Sequence, residues 1–310
     1  MTGGGVSVVI PARNAAETLG RAIASVLAQT MTPLEIIVVD DASSDATEAV
    51  AREAGGALLH VIRLPERQGA AAARNHGIHA ARGEFIAFLD ADDTWDPGKT
   101  GRQVAVIGAH PAMTFCACRA RHVGQDGRPL GPIHGGVPVA TGPEAWRTLL
   151  ARNFVATPCV LARRSAVLEV GGFDPGLPVA EDQDLWIRLA LAGDVGFVDE
   201  VLVTVQDRPG SLSLEYAAQT AEVTLAMVLG HIERQAARLT PAERRRALGA
   251  RYGWAGRRLY RAGNVRAGLR NLIRSMLHHH EVGGTLWYML TAAPGMEKAK
   301  AWIRKRAPKK

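Results

Sequence analysis

The chain has 310 residues, of which 47% are hydrophobic and 22% charged, so it is long enough and apolar enough to bury a sizeable core. We expect one large domain with an appendage. The formal net charge of +7 favours anionic partners. Three cysteines exclude a disulfide framework and a cysteine-based zinc site, which indicates a reducing compartment, and the sequence predicts no signal peptide and no membrane-spanning segment.

The first part of the chain alternates between short apolar runs and stretches with helical spacing. Strands are predicted at 6–10, 34–39, 58–64 and 85–89, and helices at 18–29, 47–53 and 71–81. This alternation predicts a parallel, doubly wound sheet, and right-handed crossovers place the carboxyl ends of all four strands at one edge.

The fourth strand ends in DADD, residues 90–93. Asp is a poor strand residue, so the chain leaves the sheet there, where ligands bind in open α/β sheets. Crowded carboxylates repel one another unless a cation joins them, so the sequence indicates either a divalent metal site or a solvated acidic turn. Segments 11–14, 40–41 and 90–92 should converge at the same edge, which favours a site.

Two common nucleotide fingerprints are absent. The first strand is followed by PARN, residues 11–14, instead of G-x-G-x-x-G, which disfavours a hydride-transferring dinucleotide enzyme. The sequence also lacks G-x-x-x-x-G-K-[ST], which disfavours a P-loop ATPase.

Residues 97–213 have a less regular pattern. Helices are predicted at 99–108, 144–150 and 164–170, and strands at 113–118, 122–123 and 159–162. A further helix opens with EDQDLW, residues 181–186. Acids in a first turn suit the helix dipole, and that explanation would account for Asp182 without any chemistry.

The last part, residues 214–310, is predicted to be helical and basic, with helices at 217–238, 241–261 and 265–277 and a cationic end at 298–310. Basic residues interleaved with aromatics favour an anionic membrane surface. A solvated helical appendage with a frayed terminus explains the pattern equally well. Nucleic acid is a weaker interpretation because no recognition motif is present.

Seven segments occur in one order and at regular intervals: VSVVIPARN, SVLAQT, IIVVDDASSD, ARNHG, GEFIAFLDADD, GGFD and EDQDLW. Together they closely resemble the family 2 glycosyltransferases of the GT-A fold. The resemblance covers residues 5–213. It implies an α/β fold with a mostly parallel, Rossmann-like nucleotide-binding sheet flanked by helices, with residues 1–96 as the nucleotide-sugar half and 97–213 as the acceptor half. Residues 214–310 lie outside the resemblance and are predicted from their own pattern to form a C-terminal helical appendage.

The resemblance implies a sugar-nucleotide site. The residues expected beside the donor nucleotide are Pro11, Ala12, Arg13, Asp41, Arg74 and Asp90. Asp41 would hydrogen-bond the base, with Asp40 as the less certain of the two acids. Asp92 would ligate Mg or Mn, and Asp90 would hold the ribose or the water shell of the metal. Asp182 would be the catalytic base.

One segment departs from the family pattern. Many members carry an R-x-H-x-G-S-like stretch after the last strand, whereas residues 205–213 read VQDRPGSLS. Arg208 then stands in place of the His, and Gln206 in place of the Arg. Arg208 would contact the donor phosphates directly, since its guanidinium suits phosphate oxygens, or this loop has lost its role.

These inferences predict a metal-dependent, inverting transfer of a sugar from a nucleotide-diphosphate sugar, with a UDP-sugar as the leading candidate, to an acceptor hydroxyl in polysaccharide or glycolipid synthesis. The expected location is cytoplasmic and peripheral at the inner face of the cell membrane. Two alternatives remain: a non-catalytic scaffold of the same fold that binds a membrane or a partner through its basic helices, and a nucleotidyltransferase, which normally has a glycine-rich loop after the first strand.

Overall fold

The structure, a computed structural model, describes residues 5–133, 139–207, 217–278 and 283–284. The chain divides into two compact units, one made of Met1–Leu149 and Asn153–Ser211 and the other of Leu150–Arg152 and Leu212–Lys310. The division expected from the sequence, at residue 213, falls in a segment outside the described residues and stays a prediction.

Nine strands occur in the described part of the chain: β1 Val6–Ala12, β2 Glu35–Asp40, β3 Leu59–Arg63, β4 Phe85–Phe88, β5 Thr94–Trp95, β6 Met113–Val123, β7 Pro129–Pro132, β8 Leu161–Arg163 and β9 Asp194–Gln206. The helices up to residue 207 are α1 Leu19–Leu27, α2 Thr47–Gly55, α3 Ala70–Ala80, α4 Lys99–Gly108, α5 Ala145–Ala151, α6 Arg164–Glu169 and α7 Glu181–Ala192. All four strands and three helices predicted before residue 90 are present, within a few residues of their expected ends.

The strands form one sheet in the order β3-β2-β1-β4-β8-β6-β9-β5, with β7 paired to β6. Pairings among β1 to β4 are all parallel, as the alternating pattern predicted. Strand β8 runs antiparallel to both β4 and β6, and β5 runs antiparallel to β9. The sheet is therefore mixed, with parallel pairs both among β1 to β4 and between β6 and β9.

Burial explains why the parallel strands carry long apolar runs. Every residue of β2 and β4 is buried, because helices cover both faces of a parallel sheet. Helix α3 lies very close to β1: a Cβ on Gly77 would stand 2.4 Å from Cγ1 of Val9. Glycine at this position lets the helix approach the sheet, and this fixes where the start of α3 lies at the sheet edge.

The sequence pattern predicted β6 as two shorter strands. Segments 113–118 and 122–123 belong to a single strand that runs parallel to β9 over most of its length. The pairing skips between Cys118–Val198 and Arg119–Val201, so Asp199 and Glu200 form a bulge in β9. In β6 itself, the exposed Arg119 and Arg121 break the apolar run between the two predicted segments, which explains why the sequence pattern divided the strand.

The second unit contains α8 Ala217–Arg234, α9 Pro241–Arg261 and α10 Val265–Leu277. Helices α9 and α10 have the predicted bounds, and α9 begins with a capping box in which Thr240 and Glu243 satisfy each other's backbone N–H groups. The two helices pack closely, since a Cβ on Gly256 would lie 2.9 Å from the backbone nitrogen of Leu272. Within the described residues, no helix is both long enough and apolar enough to cross a membrane.

Candidate active site

The loops after β1 and β2 hold each other at the sheet edge. Pairing of the strands ends at Ala12 and Asp40, and the N–H of Asp41 donates to the carbonyl oxygen of Ala12. Nη1 of Arg13 donates to the carbonyl oxygen of Asp41 at 2.9 Å. Pro11, Ala12, Arg13 and Asp41, all expected at the nucleotide, are thus brought together, and their contact with a nucleotide stays a prediction.

Among the described residues, three that are not glycine have a positive φ, and all three lie in loops of the expected site. They are Asn14 after β1, Ala42 after β2 and Ala180 before α7, with φ values of 47°, 53° and 63°. The left-handed region costs a residue with a Cβ roughly 1–2 kcal/mol. Such strain persists where the surroundings fix the backbone, and it tends to occur at functional sites.

The two acids after β2 have separate partners. Asp40 is fully buried, and its carboxylate accepts from the N–H of Ser43 and from Nη1 of Arg63. The carboxylate of Asp41 accepts from the backbone N–H groups of Gln68 and Gly69, at 2.6 and 2.9 Å, immediately before α3. Asp40 therefore stabilises the loop, and Asp41 fixes the start of α3.

Arg74 on α3 joins the two halves of the site. Its Nη2 donates to Oδ1 of Asp90 at 2.7 Å, and its Nη1 donates to Oε1 of Glu181 at 2.8 Å. The Arg74 side chain is only 7% exposed, so both ion pairs are shielded from water. Arg74 was predicted to lie beside the nucleotide. In the structure it binds one acid of the DADD segment and one of the EDQDLW segment, which lie about ninety positions apart in the chain.

Burial and charge act in opposite directions in this cluster. Burial lowers the pKa of Arg74, but Asp90 and Glu181 outweigh it, and the net pKa is raised. Burial raises the pKa of Glu181 and also of Asp182, although Arg74 lowers both. The N–H of Gln183 further lowers the pKa of Asp182, and the nearby Asp90 raises it. Both carboxylates therefore hold a proton more tightly than an exposed acid does.

Asp182 lies in the first turn of α7. Its Oδ1 accepts from the backbone N–H of Gln183 at 2.6 Å, and its Oδ2 accepts from Oγ1 of Thr157 at 3.4 Å. The electrostatic coupling of Asp182 to Arg74 and Asp90 places it in the same cluster as the DADD segment. A raised pKa makes this carboxylate a better proton acceptor than an exposed aspartate.

The GGFD segment is held between α3 and α7. The side-chain amide of Asn75 both donates to the carbonyl oxygen of Phe173 and accepts from its N–H, at 2.8 and 2.9 Å. Arg188 of α7 donates to the carbonyl oxygen of Gly172 at 2.7 Å. Gly172 has a φ of 68°, and a Cβ there would lie 2.6 Å from Oδ1 of Asn75, so this position requires glycine.

Trp186 is a core residue. It is fully buried and packs against Phe88, Phe115 and Phe173, with ring centroids 5.7 to 6.0 Å apart. This cluster lies beneath the site, and Phe173 also faces the guanidinium of Arg74 at 5.2 Å. These contacts give Trp186 a packing role in the core.

The end of β9 is tied to the DADD segment. Asp93 is buried, and its Oδ1 accepts from the backbone N–H of Gln206 at 3.0 Å. The Gln206 side chain donates to the carbonyl oxygen of Gly124. Gln206, which replaces the Arg of the family pattern, therefore has a structural role. Arg208 lies outside the described residues, so its expected phosphate contact stays a prediction.

The donor atoms at this edge fit a hard divalent cation. Asp90 and Asp92 offer carboxylate oxygens, and Asp90 is 31% exposed with only its Oδ1 bonded to Arg74. The described residues contain no group of three or more His, Cys, Asp or Glu side chains arranged to hold a metal. An Mg or Mn ion that binds one or two carboxylates and completes its shell with water and diphosphate does not need such a group.

Sequence reasoning missed two members of the cluster, Glu181 and Thr157. Glu181 had a sequence signal, since it directly precedes Asp182 in EDQDLW, but its partner Arg74 is 107 positions away. Thr157 had no signal, because a lone threonine in an irregular segment is typical of any loop.

The fold and the site thus combine a mixed α/β sheet with carboxylates at the sheet edge and a half-buried acid at a helix start. Residues 7–171 match the sequence profile of the glycosyl transferase family 2. This match covers more than half of the chain, so the chain belongs to that family. The family and the enzyme class expected from the sequence are confirmed.

Comparisons with individual proteins agree with this assignment. The succinoglycan biosynthesis protein ExoU of Rhizobium meliloti (strain 1021) is 44% identical over 105 residues, which are 33% of this chain and 30% of ExoU. S. aureus TarS 1-349 in complex with UDP has a TM-score of 0.60 at 23% identity, with 83% of this chain and 72% of that chain covered. The mannosyltransferase PcManGT from Pyrobaculum calidifontis, in complex with GDP-Man and Mn2+, has a TM-score of 0.61 at 18% identity, with 98% and 84% covered. These likenesses confirm the expected fold class.

Proposed function

We propose that the protein is a metal-dependent, inverting glycosyltransferase that moves a sugar from a nucleotide-diphosphate sugar to an acceptor hydroxyl. One observation carries the proposal: the buried Arg74 binds Asp90 and Glu181 at once, so the expected donor acids and the expected base share one cluster. A solvated acidic turn would give these acids no reason to share a buried cation.

Asp182 is the proposed catalytic base. Glycosyl transfer needs a group that takes the proton of the acceptor hydroxyl as that oxygen attacks the anomeric carbon. Burial raises the pKa of Asp182, which makes it a stronger base than an exposed aspartate. A single base on the face opposite the leaving group gives one displacement, and hence inversion at the anomeric carbon.

The donor is proposed to bind over the ends of β1, β2 and β4. Pro11, Ala12, Arg13 and Asp41 would contact the nucleoside, with Asp41 on the base. Arg74 holds Asp90 in place for the ribose or for the water shell of the metal. Asp92 would hold Mn or Mg, and the bound ion would stabilise the departing diphosphate as a Lewis acid.

A UDP-sugar is the first donor to test, because the TarS structure named above holds UDP. The PcManGT structure holds GDP-Man with Mn2+, which makes a GDP-sugar the second donor to test and supports the choice of metal. The name of ExoU supports a role in polysaccharide synthesis, with a saccharide or lipid-linked saccharide as acceptor. We place the protein in the cytoplasm, peripheral to the inner face of the cell membrane.

The test compares donor binding and transfer in three proteins: wild type, Asp182→Asn and Asp92→Ala. Calorimetric titration with UDP and GDP, with and without Mn, reports nucleotide binding. A screen of UDP- and GDP-sugars with saccharide acceptors reports transfer. Asp182→Asn should bind the nucleotide as wild type does and lose transfer by at least about 100-fold, the lower range for a general base.

Asp92→Ala should bind nucleotide equally weakly with and without Mn. Normal turnover by Asp182→Asn would reject the base assignment, and an unchanged Mn effect in Asp92→Ala would reject the metal ligand. A wild-type protein that binds no nucleotide and transfers no sugar would favour the non-catalytic scaffold instead.

A further inference from the structure

Helix α10 presents one exposed stripe of mixed chemistry. Arg266, Arg270 and Arg274 are exposed, and Ile273 and Leu277 lie exposed between them. At about 100° per residue these five positions fall within roughly 100° of the helix circumference. We call these five residues the α10 stripe.

The opposite side of α10 is packed against α9. Leu272 and Ser275 are fully buried, and Oγ of Ser275 donates to the carbonyl oxygen of Gly249 at 2.7 Å. Gly268 is buried against Tyr260, where a Cβ would lie 2.8 Å from the tyrosine backbone nitrogen. This packing fixes the rotation of α10, so the stripe cannot turn inward without breaking the helix pair.

The apolar members of the α10 stripe are unusually exposed for side chains of their size. Leu277 is 71% exposed and Ile273 is 47% exposed, and Leu277 has the largest exposure of any large apolar side chain among the described residues. Fully burying a leucine or isoleucine is worth about 1.5–3 kcal/mol. Two such side chains on one stripe indicate a surface with an apolar partner.

The charges of the stripe are not neutralised within the described structure. No described acid pairs with Arg266, Arg270 or Arg274, and residues 244–278 contain ten arginines and no acid. Arg274 lies over the ring of Tyr252, 5.6 Å from its centroid, which keeps its guanidinium at the helix surface. The expected partner is therefore anionic as well as apolar.

We propose that the α10 stripe docks the protein on an anionic membrane surface. A helix that alternates arginines with exposed isoleucine and leucine can place its apolar side chains at the boundary of headgroup and acyl chain while its guanidiniums contact anionic headgroups. A second copy of this chain fits less well, because two cationic stripes repel one another. A soluble polyanion would use the arginines but would leave Ile273 and Leu277 in water.

The inference goes beyond the proposed transfer reaction, and its test uses no substrate. The full chain is sedimented with vesicles of phosphatidylcholine alone and with vesicles that also contain phosphatidylglycerol. Two variants divide the stripe: Arg266→Gln/Arg270→Gln/Arg274→Gln removes charge, and Ile273→Ser/Leu277→Ser removes apolar area at constant charge. The control, Arg21→Gln/Leu27→Ser, removes one charge and one exposed apolar side chain from the exposed side of α1.

We expect wild type and control to bind the anionic vesicles at least tenfold more tightly than the neutral ones. At roughly 1 kcal/mol for each basic residue near an anionic surface, the charge variant should bind about 100-fold more weakly. The apolar variant should bind about tenfold more weakly. The rest of the chain is the same in wild type and the two stripe variants, so these differences isolate the stripe, and circular dichroism checks that each protein is folded.

Each other outcome overturns the proposal. If the wild-type protein does not bind the anionic vesicles, there is no membrane contact. If only the charge variant loses binding, the stripe is a general polyanion site. If both variants bind as wild type does, any membrane contact lies elsewhere in the chain.

Discussion

Glu181 and Asp182 are neighbours in sequence but differ in their partners. Glu181 pairs with Arg74, whereas Asp182 accepts from the N–H of Gln183 and from Thr157. Because Glu181 occupies one side of the Arg74 guanidinium, it limits how strongly Arg74 can lower the pKa of Asp182. We therefore assign Glu181 as a positioning residue that keeps the proposed base strong.

Replacing Glu181 with Gln tests this assignment. The Gln oxygen can still accept from Arg74, but the negative charge is gone, so Arg74 acts more strongly on Asp182 and lowers its pKa. Activity is lost when the base is protonated, so the acid limb of the kcat/KM profile should move to lower pH. The control is Asp184→Asn, which removes the acid that pairs with Arg188 on the same helix. A shift in the control alone, or an unmoved limb in Glu181→Gln, would contradict the assignment.

At the scale of single residues, the sequence pointed to Arg74, Asp90 and Asp182, which the structure brings together, but it missed Glu181 and Thr157 and did not predict how the side chains pair. Asp41, Asp90 and Asp182 each stand in a segment that resembles the family, so their positions could be read directly. That Arg74 would pair with Glu181 depends on a distance across 107 positions, which no local pattern encodes. The positive φ of Ala42 and Ala180 could not be predicted either, because alanine gives no sequence signal for the left-handed region.

Among the elements, prediction succeeded where burial produces a periodic pattern. The parallel strands are continuous apolar runs, and α9 and α10 have capping or periodicity at their ends. The sequence did not predict the bounds of strand β9, because Gly196 and the bulge at Asp199 and Glu200 interrupt the pattern of its apolar residues. The strand predicted at 159–162 overlaps β8, but its antiparallel direction was not predicted, since the direction of a three-residue strand depends only on its partners.

The GGFD turn illustrates how one side chain can hold two elements in register. Asn75 of α3 makes both of its amide bonds to the backbone of Phe173, which is fully buried. Asn75→Ala would leave a buried N–H and a buried carbonyl without these partners, at a cost of about 2–4 kcal/mol. Urea-induced unfolding measures this loss.

Two further variants sharpen the Asn75 result. Asn75→Asp keeps the acceptor for the Phe173 N–H and loses the donor, so its loss of stability should be intermediate. His76→Ala, at the next and exposed position of α3, should change stability by no more than about 0.5 kcal/mol. Equal effects of Asn75→Ala and His76→Ala would mean that the Asn75 bonds do not hold the turn.

At the scale of the whole molecule, a buried cation also lies in the core of the first unit, away from the site. Lys99 is fully buried at the start of α4, its Nζ has no hydrogen-bond partner, and it lies 3.9 Å from the centroid of the Trp95 ring. Burial lowers the pKa of Lys99. Among the nearby thiols, Cys118 has a lowered pKa and acts on Lys99 against the effect of burial, whereas burial raises the pKa of the Cys116 thiol to about 12.

The free-energy cost of burying the charge of Lys99 should exceed the gain from its contact with the Trp95 ring. A desolvated cation–π contact is worth about 2 kcal/mol, whereas burying a charge costs several kcal/mol. Lys99→Met fills nearly the same volume without the amine, so we expect it to stabilise the protein by about 1–3 kcal/mol at neutral pH. Unfolding by urea at pH 7 gives the comparison with wild type.

The sign of the pH dependence separates this effect of charge from better packing. The lysine pKa is lower in the folded state, so the unfolded chain binds its proton more readily and wild type gains stability as pH rises towards the ordinary range of a lysine amine. The advantage of Lys99→Met should therefore narrow between pH 7 and pH 10. Arg102→Met, one turn along α4 and half exposed beside Glu200, should show no such gain at either pH. An advantage of Lys99→Met that is the same at both pH values would mean that packing, and not the buried charge, sets the difference.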